Sequence, residues 1–235
     1  MRSTLILTAT AVIALASVSV LSADTTVGTI TRAGYNDSVD WGQLGACNQS
    51  VAPTFNATSV GGLTVTGSEA SGHVEEDIQS PPGCSYDGWS GNFAPGANLL
   101  WTAQSLGAGS GPITLGFSSP VSGAGLQIQP DAIGAFTAEI DAYDGATLLG
   151  TFLENGVSTE NGDNSAIFIG INDLSAPDIT SVVIGVLGNN NFSVNQLSLL
   201  TTPMTSTPEP SSVGMSLLLG LGVIGAARRW KTTQR

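Results

Sequence analysis

The sequence predicts an all-β protein, a single antiparallel β-sandwich or jelly-roll-like domain. Apolar and polar residues alternate over many short segments, which is the period of a strand with one buried face. Turns rich in Gly, Asn and Asp separate these segments, and no stretch of the body keeps a 3.6-residue period. Short strands punctuated by turns are typical of sandwiches and jelly rolls. We expect this domain to span residues 24–200.

The second half of the domain has the clearest strand pattern. The run GPITLGF places Ile113, Leu115 and Phe117 on one face of a strand by strict alternation. The dipeptide Asp144-Gly145 predicts a tight turn, so the segments before and after it should form a hairpin. Further strands are predicted at residues 124–129, 135–143, 146–152, 166–171, 179–186 and 191–200.

The last of these strands changes parity along its length. Phe192 and Val194 share one face of the segment NFSVNQLSLL. Leu197 and Leu199 have the opposite parity. One extra residue near Asn195-Gln196 would bring all four side chains to the same face, so we predict a β-bulge there.

The first half of the domain is less regular. The run GGLTVTGS predicts one strand, whereas GHVEED and the stretch from Glu75 to Asn98 look like solvated loops. Cys47 and Cys84 are the two cysteines of the chain, and in an exported protein such a pair favours a disulfide. Closing that loop would stabilise the fold by roughly 3–4 kcal/mol, less any strain.

The charges are distributed unevenly. All eighteen Asp and Glu residues lie between Asp24 and Glu209, and Arg32 is the one basic residue in that range, which gives it a net charge of −17. A surface of this sign repels nucleic acid and anionic lipid, because it has no positive patch to replace the phosphate counterions. We therefore expect no nucleic-acid partner, and we expect the acidic surface to serve solubility.

The N-terminal segment, residues 1–23, predicts an export signal. Arg2 precedes an apolar run from Leu5 to Leu21, and the small residues Ser22 and Ala23 offer a cleavage site before Asp24. The protein is therefore expected to leave the cytoplasm.

The C-terminal segment combines a Pro-Glu-Pro triplet, an apolar run and a basic tail. Residues 201–210 form a Pro- and Thr-rich linker that ends at Pro208-Glu209-Pro210, and residues 211–235 follow. The run Val213–Ala227 would span about 22 Å as a helix, short of a hydrocarbon core of about 30 Å. Arg228 and Arg229 would hold its far end in the cytoplasm. A permanent membrane anchor is the alternative interpretation.

This arrangement resembles the PEP-CTERM sorting signal of Gram-negative bacteria. The resemblance rests on Pro208-Glu209-Pro210, on the apolar run and on Arg228-Arg229. It implies that the protein is held briefly in the inner membrane and that an exosortase then cuts near the triplet. It also implies delivery to the cell surface or the extracellular space, with exopolysaccharide as a candidate partner.

The body is also similar to a recurrent type among PEP-CTERM proteins, which implies a β-rich fold and no particular activity. The runs that carry this similarity are YDGWSGNFAPGANLLWT, GPITLGFSSPVSGAGLQIQ, FTAEIDAYDGATLLGTF, AIFIGI and FSVNQLSL.

The sequence predicts a protein without enzymatic activity and without catalytic residues. His73 is the one histidine, and no nucleophile motif accompanies it. One alternative is a carbohydrate-binding module that uses the loop aromatics Tyr86 and Trp89, with Trp41 and Trp101 as further stacking candidates, although a core position is favoured for Trp89 and Trp101. A less favoured alternative is a glycan hydrolase, because Glu139 and Asp141 would lie about 7 Å apart on one strand face.

Cofactors are not expected, apart from a structural calcium ion. Carboxylates in loops beside Asn and Gly suit this hard cation, but no ligand spacing singles out particular residues. The acids in such loops are Asp37, Asp40, Asp87, Asp173 and Asp178.

Overall fold

A computed structural model describes residues 34–71, 74–80, 84, 89–102, 111–173, 176–188 and 191–201. Within these ranges the chain is all-β, as predicted, and its strands form two antiparallel sheets that pack as a sandwich. In this part of the chain no helix has the length and apolar character that a membrane crossing requires. The export signal, the linker, Pro208-Glu209-Pro210 and the tail with Arg228 and Arg229 lie outside the described residues.

The larger sheet has eight strands in the described residues. Seven of them follow the order β1-β14-β8-β13-β6-β5-β2, and β11 pairs with the free side of β8. The strands are β1 (Asp37–Val39), β2 (Gln49–Val51), β5 (Val74–Ile78), β6 (Asn98–Trp101), β8 (Gly123–Pro130), β11 (Ile167–Asn172), β13 (Phe192–Val194) and β14 (Leu197–Leu200).

The smaller sheet has six strands in the order β10-β9-β12-β7-β4-β3. Gly145 has a φ of 56° and lies in the two-residue loop that joins β9 to β10, which confirms the predicted hairpin. The strands are β3 (Thr54–Thr58), β4 (Thr64–Glu69), β7 (Ile113–Val121), β9 (Gly134–Asp144), β10 (Thr147–Ser158) and β12 (Ile179–Val186).

The main core fills the space between the sheets. Its side chains come from the alternate positions that the sequence pattern marks, so β7 contributes Ile113 and Leu115, and β9 contributes Ile140. Each such aliphatic side chain stabilises the fold by about 1.5–3 kcal/mol on burial. The 3₁₀ turn Trp41–Leu44 adds Trp41, which is fully buried and packs edge-on against Phe55.

The predicted bulge separates β13 from β14. Val194 pairs with Ile128 and Ser198 pairs with Gly125, so four steps along this edge match three steps along β8. The Asn195 side chain fills the gap, since its amide donates to Gln127 Oε1 at 2.5 Å and its Oδ1 accepts from Gln127 N at 3.0 Å. The bulge brings Phe192, Val194, Leu197 and Leu199 into the core, as predicted.

The prediction of a solvated loop beginning at Glu75 was wrong. Val74–Ile78 forms β5, and its three consecutive acids, Glu75, Glu76 and Asp77, are at most 5% exposed. The acidic composition suggested a solvent-facing segment. Pairing with β2 and β6, together with loops that lie over the sheet, buries the segment instead.

Candidate functional site: a cleft on the outer face of the larger sheet

The site begins with a row of residues across the larger sheet. Trp101 lies directly opposite Glu75 on β5 and opposite Ser193 on β13. Ser193 in turn lies opposite Gln129 on β8. Directly paired residues share one face of a sheet, and this face points away from the main core. The row therefore places an acid, an indole, a hydroxyl and an amide side by side.

Two segments of chain, residues 89–97 and 159–166, cover this outer face, and we call them the covering segments. Trp89, Phe93, Leu99 and Ala166 form a second, smaller apolar cluster between the covering segments and the sheet. The Trp89 ring meets the Trp101 ring edge-on, with centroids 5.9 Å apart, and lies 6.4 Å from the Phe93 ring. The outer face is thus a packed layer.

Asn92 joins the two covering segments to each other and to the sheet. Its backbone N–H donates to Gln129 Oε1 at 2.6 Å, and its side-chain Oδ1 accepts from Thr159 N at 2.6 Å. Its Nδ2 donates to Thr159 Oγ1 at 2.6 Å and to Ser165 Oγ at 2.7 Å. A buried polar group with this many partners fixes the position of the segments around it.

A disulfide joins Cys47 to Cys84, as predicted, with the two Cα atoms 5.7 Å apart. Asp77 lies beside it and also contacts the first residue of the first covering segment. Asp77 Oδ1 accepts from Trp89 N at 3.2 Å and from Ile78 N at 2.7 Å. The disulfide and this carboxylate together fix one end of the first covering segment.

A cleft of about 470 Å³ opens between the covering segments and the edge of the row. Two acids on its floor, Glu75 and Asp77, are almost wholly buried, whereas Asp131 and Glu160 at its rim are exposed. The residues that line it are Asn48, Glu75, Asp77, Trp89, Ser90, Trp101, Asp131, Ile133, Ser158 and Glu160. Four of the ten lining residues are acids and none of the ten is Lys, Arg or His, so the described lining favours cations over anions.

Three buried polar groups beneath and beside the cleft have no hydrogen-bond partner among the residues that the structure describes. They are Trp89 Nε1, Trp101 Nε1 and Ser193 Oγ. Buried polar atoms in proteins almost always have partners, so an unmatched group marks a place where a bound molecule or an ordered water completes the structure. The two indole N–H groups can only donate, so they require an acceptor.

Glu76 lies on the opposite, inner face of β5, where it pairs with Leu100. It is 1% exposed, and its Oε2 has no hydrogen-bond partner. Burial, followed by repulsion from Asp77 and Asp40, raises the pKa of Glu76 to about 7. The carboxyl group is therefore partly protonated near neutral pH.

The two acids of the hydrolase alternative lie on the outer face of the smaller sheet. Glu139 and Asp141 are half-buried on β9, opposite Leu153 and Thr151 of β10, and Asp141 Oδ1 accepts from Thr151 Oγ1 at 2.5 Å. Neither residue lines the cleft. This alternative stays an untested prediction, and the geometry adds nothing in its favour.

Two of the five acids predicted for calcium act in turns. Asp37 accepts from Gly61 N at 2.8 Å and from Ser59 Oγ at 2.5 Å. Asp40 caps the 3₁₀ turn through Gly42 N at 2.8 Å. These hydrogen bonds give both carboxylates a local structural role.

Asp173 and Asp178 come together at one end of the sandwich. Burial, the Asp173 carboxylate, a hydrogen bond with Asp173, and Asp144 raise the pKa of Asp178 to about 6. The pair suits either a shared proton or a cation. Asp87, the fifth acid, lies outside the described residues, and a structural calcium ion stays a prediction.

The structure reaches only part of the predicted glycan site. Tyr86 and His73 lie outside the described residues, whereas Trp89 lines the cleft and is 5% exposed. Trp89 packs in the second cluster, as the core alternative predicts, and it also borders the cleft, whereas its contact with a glycan stays a prediction. The sequence pointed to Trp101 together with Trp89, but it did not indicate Asp131 and Glu160 as their neighbours, because strand pairing and loop packing bring these acids to the cleft.

The all-β body, its disulfide and its C-terminal segment define an exported protein that carries a sorting signal. Residues 206–231 match the family model of the PEP-CTERM protein-sorting motif, which confirms the resemblance based on Pro208-Glu209-Pro210. The chain is therefore a PEP-CTERM-containing exosortase substrate, anchored transiently in the membrane before cleavage. The match is confined to this segment, so it does not indicate what the body binds.

Two further comparisons concern the whole chain. No sequence among curated proteins matches it. The crystal structure of a DUF4465 family protein from Bacteroides caccae ATCC 43185 is similar over 71% of this chain and 100% of that chain, at 14% sequence identity and a TM-score of 0.39. A likeness this distant assigns neither a function nor a site.

Proposed function

We propose that the mature protein is a non-enzymatic component of the cell surface or of the extracellular, exopolysaccharide-associated matrix. The observation that carries this proposal is the PEP-CTERM motif at residues 206–231. A compact body with a disulfide and a strongly acidic surface is consistent with life outside the cell, where oxidising conditions preserve the disulfide.

Intact mass of the protein from the native host tests this itinerary. We expect the protein in the culture medium or on the surface to lack the export signal and the chain beyond the neighbourhood of Pro208-Glu209-Pro210. Its mass should also be about 2 Da below that of the fully reduced chain, because the disulfide removes two hydrogens.

A matched variant with alanine at Pro208, Glu209 and Pro210 should accumulate in the membrane fraction with its tail attached. If the native protein is instead found permanently in the membrane with residues 211–235 intact, the proposal is wrong. If a mild wash removes the protein from isolated exopolysaccharide, the proposed association with the matrix is wrong. The proposal that the protein is secreted would not be affected by that result.

A second candidate function is carbohydrate binding in the cleft. The observation that favours it is that two indole side chains, Trp89 and Trp101, border the cleft beside carboxylates, because sugars offer apolar ring faces to indoles and hydroxyl groups to acceptors. On this basis the protein would hold matrix polysaccharide without altering it.

Binding to a glycan array tests this candidate. The variant Trp101→Ala should lose binding, whereas Leu153→Ala, on the exposed face of the smaller sheet, should keep it. Because Trp101 also packs on Trp89, the exposed rim variant Glu160→Gln serves as a second probe that does not disturb the cluster. Absence of binding to any glycan by the folded native protein would reject the candidate.

A further inference from the structure

We infer that the cleft selects carbohydrate whose sugars carry a free ammonium group, such as glucosamine residues, over neutral or acidic sugars. This inference deepens the carbohydrate-binding candidate and rests on it. It concerns the charge of the ligand, which the candidate itself leaves open.

The side chains that line the cleft carry several acidic groups. The cleft contains four carboxylate side chains, with Glu75 and Asp77 on the floor and Asp131 and Glu160 at the rim. No basic side chain occurs in the part of the chain that the structure describes. A uronic acid or a sulfated sugar would therefore enter against like charge, whereas an ammonium group would be attracted.

Two tryptophan side chains also line the cleft. Trp89 and Trp101 border the same cleft as the four acids, and their rings meet edge-on. An indole face favours the apolar face of a sugar ring and also attracts a cation. A protonated amino sugar presents both features in one residue, which a neutral hexose and a simple metal ion do not.

The hydrogen-bonding groups of the cleft can be matched with those of an amino sugar. An ammonium group only donates, and the carboxylates of the cleft only accept when they are ionised. The indole N–H groups of Trp89 and Trp101 are buried and have no partner among the described residues, so they donate to a sugar oxygen only if a ring turns toward the cleft.

The arrangement of the acids suggests an order of contact. Asp131 and Glu160 are exposed, so they meet the ligand in water and attract it at long range. Glu75 and Asp77 are at the base of the cleft and 5% exposed each, so only a group that enters the cleft reaches them. The rim acids are therefore the residues to change without disturbing the fold.

Calorimetric titration of the secreted native protein tests the inference with a matched pair of ligands. The probes are the β-1,4-linked glucosamine tetramer and its fully N-acetylated counterpart, which has the same backbone without the charge. At about pH 5, where the ammonium groups of the glucosamine tetramer are largely protonated, we expect the charged tetramer to bind at least about tenfold more tightly. High salt should reduce that preference.

The double variant Asp131→Asn with Glu160→Gln should weaken binding of the glucosamine tetramer by roughly tenfold. The control removes two charges from the other sheet through Glu139→Gln and Glu154→Gln, and it should bind like the native protein. Circular dichroism of both variants checks that the fold is retained.

The possible results separate the inference from the function on which it rests. Equal affinity for the two tetramers would overturn selection for ammonium and leave carbohydrate binding intact. If neither tetramer nor any array glycan binds, both are wrong. If the control variant loses as much affinity as the rim variant, the attraction is to the net charge of the protein, and the assignment to the cleft is wrong.

Discussion

On the larger sheet, the side chains that point away from the main core are covered, and Leu99, Gln127 and Gln129 are at most 7% exposed. On the smaller sheet, the side chains in the equivalent position are open to solvent, and Leu153 and Val157 are 55% and 62% exposed. The difference lies in the covering segments, residues 89–97 and 159–166, which lie over one outer face only. A sheet acquires a second buried face, and with it a cleft, only where loops supply another layer.

The largest effect is expected from Trp89→Ala, which removes the centre of the second cluster. We expect it to lower the free energy of unfolding by about 3–5 kcal/mol, because it leaves a cavity among Phe93, Leu99 and Trp101. The matched change Leu153→Ala on the open face should cost less than about 0.5 kcal/mol. Urea unfolding measures both, and similar costs would show that the covered face is not a second core.

Removal of the disulfide should have the next largest effect. The double variant Cys47→Ser with Cys84→Ser is expected to lose about 2–4 kcal/mol, because the unfolded chain is no longer closed over 37 residues. Reducing agent should lower the midpoint of the native protein to that of the variant. It should leave the variant itself unchanged, and any further drop there would indicate a different cause.

Glu76 should make stability depend on pH from the inner face of β5. Its pKa is about 7 in the folded protein against 4.5 for the ordinary group, so the folded state binds a proton that the unfolded state has lost. Stability should therefore fall as pH rises from about 4.5 to about 7, by at most about 3 kcal/mol, and then level off.

The variant Glu76→Gln should remove this slope. Its free energy of unfolding should equal that of the native protein near pH 4 and exceed it near pH 8. A constant difference between the two proteins across this range would contradict the assignment of the slope to Glu76.

Asn92→Ala should cost about 1–3 kcal/mol, because it leaves the donors and acceptors of Thr159 and Ser165 without partners between the covering segments. The comparison is Thr137→Ala on the open face, which removes an exposed hydrogen bond of 2.8 Å to Asn155. That change should cost less than about 0.5 kcal/mol. Hydrogen exchange would sharpen the result, since only Asn92→Ala should speed exchange at Thr159, whose amide donates to Asn92 Oδ1.

Local patterns were sufficient to predict much of the fold. The alternation in β7 and β9, the turn at Asp144-Gly145 and the change of parity near Asn195 each depend on neighbours within about ten residues. The structure confirms all three. Such features can be recognised in sequence because one buried face imposes a period of two on a strand.

The same reasoning failed for Val74–Ile78 because three consecutive acids usually mark a solvated segment. Nothing near them in the sequence indicates the strand pairing and the covering segments that bury them. The sequence likewise leaves open whether Trp89 packs in a core or contacts a ligand. A residue in a predicted loop gives no sign of which distant segments pack against it.

The sorting segment and the inner faces of the strands can be recognised from the sequence alone, because each is a local pattern of neighbouring residue types. The tertiary structure alone decided the outer face of the larger sheet, where Glu75, Trp101, Ser193 and Gln129 form one row although they are far apart along the chain. Strand pairing brings distant residues into register, and the covering segments then exclude water above them. No local pattern encodes that combination, since it depends on which strands meet and which loops lie over them.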